Sequence, residues 1–157
     1  MKIETAIILC AGYGKRLHPI TLQVPKPLIK IKNKSLLLNT IELVANLGIK
    51  RIKLNTYYLA EQIEDFVNKL ENYGKIEIVK DGEEILDTGG GIKNIMKTST
   101  DENFLVLNPD TIWNLGYKKI ILEMIEYYKL KNLNNLLMVT HKSKSYDTRF
   151  DGDFSMN

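Results

Sequence analysis

Between Leu9 and Leu28 the chain has no aspartate or glutamate, although over its 157 residues it is close to charge balance at net +3. Other scarcities exclude whole classes of protein. Cys10 is the single cysteine, which rules out an intramolecular disulfide framework and suits a reducing cytoplasm. The two histidines, His18 and His141, are too few to form a metal cluster. No run approaches the roughly 18 apolar residues of a spanning helix, and the amino terminus has no extended apolar core or small-residue cleavage site. A soluble cytoplasmic protein without a membrane partner is therefore expected. Basic residues are spread along the chain without aromatic interleaving, so nucleic acid is not an expected partner. Internal repeats, low-complexity tracts and linkers are absent.

What is present fits one cooperative unit. With 44% hydrophobic residues, a chain of this length buries roughly 70% of its unfolded surface, and one domain over residues 1–157 is expected, with the polar stretch 142–157 frayed. Thr5 to Leu9 (TAIIL) reads as a strand buried on both faces. Leu36 to Leu47 repeats apolar residues at helical spacing and stops at Gly48. Strands follow at Arg51 to Asn55, Lys75 to Val79, Phe104 to Leu107 and Leu136 to Thr140. Helices are expected at Ala60 to Leu70, Ile92 to Met96 and Lys118 to Leu130, with an irregular segment between Asp81 and Gly91. This alternation predicts a three-layer α/β/α fold around a mostly parallel, Rossmann-like sheet.

In such sheets ligands bind beyond the carboxyl ends of the strands. Three unusual segments fall there: the glycine loop from Ala11 to Arg16, Asp87 to Gly91, and Asn108-Pro109-Asp110. Gly12 and Gly14 allow a sharp turn that presents amides to an anion. Leu17 stands where a dinucleotide fingerprint needs its third glycine, and no lysine-serine or lysine-threonine pair completes a P-loop. Arg16 offers a fork for phosphate oxygens, and Lys26, stiffened by Pro25 and Pro27, offers a point charge. A tight turn with solvated charges is the plainer alternative. Asp110 reads equally well as a turn or N-cap aspartate, and the glycine triplet at 89–91 as a hinge. Tyr57, Tyr58, Tyr127, Tyr128 and Trp113 read as core or rim packing.

The order glycine, glycine, arginine, proline-x-threonine and proline-lysine-proline in LCAGYGKRLHPITLQVPKPL resembles the opening motif of the sugar-phosphate nucleotidyltransferases. DTGGGI at 87–92 and VLNPD at 106–110 are similar to later family segments, and GDF at 152–154 is a weaker match. With Asn55 and Glu61-Gln62-Ile63, the pattern is most similar to N-acetylmuramate-1-phosphate uridylyltransferases and their mannose-1-phosphate guanylyltransferase-like relatives. The resemblance implies transfer of a nucleotidyl group from UTP or GTP to a sugar 1-phosphate, with release of pyrophosphate. It implies that Leu9, Ala11, Gly12, Gly14, Lys15 and Arg16 bind the nucleotide and that Thr88 and Gly89 lie beside its base. Lys26 and Gly152 would meet the sugar phosphate, Arg16 and Lys26 would be catalytic, and Asp110 would carry magnesium. The nucleophile is a phosphate oxygen already ionised at neutral pH, so no general base is required and the chemistry calls for positioning and charge neutralisation. That requirement accounts for the missing carboxylates. Two departures stand out. Pro109 replaces a usual glycine, and family members continue past the position of Asn157 into segments that supply a second metal ligand and part of the sugar pocket. A homo-oligomer or a complementing chain is therefore an expected partner, and a nucleotide-binding module without catalysis is the alternative.

Overall fold

A computed structural model describes residues 3–144 together with Gly152 and Phe154. Four parallel strands form the central sheet: β1 (Thr5–Leu9), β4 (Arg51–Thr56), β5 (Lys75–Lys80) and β6 (Phe104–Leu107), in the order β5-β4-β1-β6. A two-residue hairpin, β2 (Lys30–Ile31) with β3 (Lys34–Ser35), lies apart from it. The helices are α1 (Leu36–Asn46), α2 (Ala60–Asn68), α3 (Thr88–Met96) and α4 (Leu115–Leu130).

Apolar spacing explains the layers. Leu37, Ile41 and Val44 lie on one stripe of α1 and are fully buried, each burial being worth about 1.5–3 kcal/mol. They share a core with Ala6, Ile8 and Cys10 of the β1 strand and its end, Ile52 and Leu54 of β4, Ile63 of α2 and Ile121 of α4. Side chains alternate along a strand, so Ile7, Lys53 and Asn55 face the other way, toward α3, whose Ile95 is fully buried. The Ser35 side chain starts α1 by accepting from the Leu38 amide at 3.1 Å, and Gly48, at φ +76°, lets the chain leave it.

The predicted α/β/α architecture with its parallel sheet is observed. Two local expectations are corrected, and one unpredicted hairpin is present. Residues 136–140 form no strand: Leu137, Met138 and Val139 are exposed and join no ladder among the described residues, so their β propensity has no partner edge to act on. The segment around the glycine triplet is helical from Thr88, since Gly89, Gly90 and Gly91 lie in the first turns of α3. The β2–β3 hairpin was not foreseen; Lys32 and Asn33 both take positive φ, as a two-residue turn of this type requires. The predicted frayed stretch lies outside the described residues beyond Lys144, apart from Gly152 and Phe154.

Candidate active site

β1 sits between β4, which follows it through α1, and β6, which the chain reaches only after β5 and α3. The direction of winding thus reverses at β1, and a cleft of about 480 Å³ opens beyond its carboxyl end. The glycine loop forms one wall, Lys26 and Pro27 another, and Asn108, Pro109 and Asp110 after β6 a third. Residues 85–88, after β5, close the remaining side.

Gly14 is the joint of the loop. Its φ is +65°, and a Cβ there would sit 2.9 Å from Thr21 Cγ2 and 3.2 Å from Lys26 Cβ. Only glycine supplies both the backbone conformation and the space. From Gly14 the chain enters a single 3-10 turn, Lys15–Leu17, in which the Leu17 amide returns to the Gly14 carbonyl at 2.9 Å. The leading amides of such a turn have no acceptor within it. Arg16 is exposed and has no carboxylate partner among the described residues, while the Lys15 ammonium stands 5.2 Å from the centre of the Tyr13 ring.

Lys26 opens a further 3-10 turn, Lys26–Leu28. Pro25 and Pro27 on either side of it are buried, so the backbone carrying the ammonium is fixed even though its tip is accessible. That tip donates to Asp110 Oδ2 at 2.5 Å, with the two side chains 26% and 39% exposed. Asp110 therefore reaches the glycine-loop side of the cleft with Pro109 before it. Pro109 is buried and is not among the residues of positive φ. The loop behind Asp110 is held by Asn39 of α1, whose side chain accepts from the Trp113 amide at 2.7 Å and donates to the Trp113 carbonyl at 3.0 Å.

β5 is two strands away from β1, roughly 10 Å at the usual strand spacing, and a buried polar chain spans that gap. Asn55, at the end of β4, accepts from the Cys10 amide at 2.9 Å and donates to both oxygens of Asp81 at 3.1 and 3.2 Å. Asp81 in turn accepts from the Leu86 amide at 3.4 Å. The start of the glycine loop and the segment leading to α3 are thereby fixed to each other. Gly91 completes the fit, because a Cβ there would lie 2.7 Å from Asn55 Nδ2.

Of the residues singled out in the sequence, Leu9, Ala11, Gly12, Gly14, Lys15, Arg16, Lys26, Thr88 and Asp110 all line this cleft. Gly89 lies one residue inside α3, exposed and away from the lining, and Gly152 is exposed and also outside it. Asp153, in the weaker GDF match, lies outside the described residues. Asp81, Asn39 and the bridging role of Asn55 were not among the residues singled out in the sequence, because β4 (RIKLNT) mixes polar and apolar residues and does not mark Asn55 apart from its neighbours. Burial pushes the Cys10 thiol well above its usual range, which makes it inert packing. Among the described residues no group of three or more histidine, cysteine or carboxylate side chains is placed to hold a metal ion.

Fold and cleft together define a doubly wound α/β protein with a cation-bearing glycine loop at its switch point. Comparison with known sequences makes this specific: residues 5–147 match the nucleotidyl transferase family, and the chain belongs to it. It is 33% identical over 138 residues to the mannose-1-phosphate guanylyltransferase catalytic subunit beta of Xenopus tropicalis, an alignment covering 86% of this chain and 37% of that one. It is 37% identical over 126 residues to mannose-1-phosphate guanyltransferase 2 of Candida glabrata, covering 78% and 34%. The chain thus spans about a third of the length of these curated relatives. HddC from Yersinia pseudotuberculosis superposes with a TM-score of 0.65 at 34% identity, covering 79% of this chain and 55% of that one. A UDP-glucose pyrophosphorylase solved with UDP-glucose shares the fold, with a TM-score of 0.71 at 22% identity, covering 83% and 55%. No helix among the described residues is long and apolar enough to cross a membrane.

Proposed function

We propose that this chain binds a nucleoside triphosphate, UTP or GTP, in the cleft beyond β1 and transfers its nucleotidyl group to a sugar 1-phosphate. The observation that carries the reading is the convergence of Arg16, Lys26 and the amide-presenting turn after Gly14 on one cleft. In the transfer an oxygen of the sugar phosphate forms a bond to the α-phosphorus, and the bond from that phosphorus to the bridging oxygen of the β-phosphate breaks, its electron pair leaving with pyrophosphate. Both reactants are anions, so the protein has to lower their repulsion and align them. Arg16 neutralises the departing β and γ groups through its fork. Lys26 spans the α-phosphate and the incoming sugar phosphate, and its proline-fixed backbone aims it there. Thr88, with Gly89 behind it, faces the base.

Asp110 suits a magnesium ion, which takes one or two carboxylates and completes its shell with phosphate oxygens and water. When bound, the ion supplies charge neutralisation for the phosphate oxygens. Lys26 already holds the Asp110 carboxylate, so substrate loading has to exchange that partner for phosphate oxygens. Gly152 is assigned to the sugar side, and self-association or a complementing chain accompanies turnover. We assign the chain to the cytoplasm, a location that suits a free, buried cysteine and a nucleotide substrate.

Incubating the chain with each nucleoside triphosphate, magnesium and a set of sugar 1-phosphates, and measuring pyrophosphate, tests the reading. Release that needs both substrates supports it. One observation favours a second reading, a nucleotide-binding module without turnover: the Asp110 carboxylate is already engaged by Lys26. Nucleotide binding with no pyrophosphate release from any pair of substrates would select that alternative.

A further inference from the structure

The stretch between the glycine loop and Lys26 is tied down from behind. Thr21 is fully buried and does not line the cleft. Its hydroxyl donates to the Gly14 carbonyl at 2.9 Å. The Leu17 amide reaches the same oxygen at 2.9 Å, so both lone pairs of Gly14 are engaged. Thr21's own carbonyl accepts from the Tyr58 hydroxyl at 2.9 Å. The Tyr58 amide donates to the Ala11 carbonyl at 3.4 Å, and its ring packs 5.2 Å from that of Tyr13. One residue of the β4–α2 connection thus grips both the start of the glycine loop and the Thr21 backbone, whose side chain holds Gly14.

The physical consequence concerns the sign of the dipoles that a polyanion meets. A peptide carbonyl directed at phosphate repels it, whereas the leading amides of the Lys15–Leu17 turn attract it. Gly14 is flexible enough to present either group. Engaging its carbonyl on the side away from the cleft leaves the amides to face the ligand, at no cost in reorganisation when the ligand arrives.

We infer that Thr21 and Tyr58 are positioning residues for polyphosphate: Tyr58 holds Thr21, Thr21 holds the Gly14 carbonyl out of the cleft, and the loop is thereby set for anion binding before any ligand enters. This rests on the cleft being a nucleotide site. The test titrates the full chain calorimetrically with inorganic tripolyphosphate and with GTP and UTP, and records melting temperatures alongside. Thr21→Val keeps the shape of the side chain and removes the donor, and is expected to weaken tripolyphosphate binding about tenfold. Thr21→Ser restores the donor and should bind within about twofold of the parent chain, a rescue that a purely space-filling role does not produce. Tyr58→Phe, one bond further away, is expected to weaken binding about threefold. If Thr21→Val does not fold, Tyr58→Phe decides the matter alone. Folded variants that bind tripolyphosphate as the parent does, with only a lowered melting temperature, would overturn the relay and leave the nucleotide site standing. A parent chain that binds neither tripolyphosphate nor either nucleotide overturns the site and the relay with it.

Discussion

Gly89 and Gly91 lie two residues apart in the first turns of α3, and the structure predicts that replacing each with alanine has opposite effects on stability. Helix propensity alone favours both replacements, by about 0.5–1 kcal/mol each, because glycine loses more backbone freedom on folding. At Gly89 nothing lies within 4 Å of the new Cβ, so the gain is realised and Gly89→Ala should stabilise by about 0.5–1 kcal/mol. At Gly91 the Cβ meets Asn55 Nδ2 at 2.7 Å and Leu9 Cδ2 at 3.8 Å. Asn55 cannot swing aside freely, since its amide is committed to both Asp81 oxygens and to the Cys10 amide. Disturbing hydrogen bonds from a buried amide to a carboxylate costs about 1.5–3 kcal/mol. Net of the propensity gain, Gly91→Ala should destabilise by about 1–2 kcal/mol. Urea denaturation of the parent and the two variants at neutral pH reads the difference directly as shifts in midpoint at constant slope. In the double variant Gly91→Ala/Asn55→Ala the clash partner is gone, so the penalty of the glycine substitution should largely vanish. A Gly91→Ala midpoint at or above that of the parent would mean that Asn55 does not constrain the approach of α3.

Acid should expose the ion pair that crosses β4 and β5. Lys53 is buried and donates to Glu77 at 2.5 Å and to Thr98, and Lys53 first, with Lys75, holds the Glu77 carboxyl down at about 2 from an ordinary 4.5. A depressed folded pKa contributes stability that is present above the unfolded value and is lost as pH falls through the folded one. Glu77→Gln should therefore cost about 1–2 kcal/mol at pH 7, less than the full shift implies because Glu77 is 33% exposed. That gap should close between pH 4.5 and 2 in denaturation curves recorded across the range. Arg16→Ala and Lys26→Ala should each lower pyrophosphate release by at least about a hundredfold with little change in melting temperature, since neither side chain is in the core. Asp110→Asn should raise the magnesium concentration needed for half-maximal release by about tenfold. Asn39→Ala, which frees the Trp113 backbone, should destabilise by about 1–2 kcal/mol in the same urea assay.

Elements whose residues repeat at one period were legible in advance. TAIIL and the 36–47 repeat announce a buried strand and an amphipathic helix because burial on two faces and on one stripe leaves different spacings. The cleft was legible too, since glycine, proline and cationic residues interrupted those periods at strand ends. Features decided by tertiary contact were not. The start of α3 at Thr88 looks irregular in sequence because three glycines read as a breaker, whereas the helix needs Gly91 to pass Asn55. Lys32-Asn33 carries no glycine to mark its turn. LLMVT at 136–140 has strand composition, yet a strand exists only where an edge accepts it. The bridge from Cys10 through Asn55 to Asp81 joins residues far apart in the chain, and no local pattern encodes it.

We propose Arg16, Lys26 and the turn after Gly14 as one polyphosphate site. Calorimetric titration of the parent chain, Arg16→Ala and Lys26→Ala with GTP and UTP at low and moderate salt tests it most directly. Binding by the parent should weaken with salt, and each variant should lose at least about tenfold in affinity. Equal affinity in all three proteins, or no affinity of the parent for either nucleotide, would contradict it.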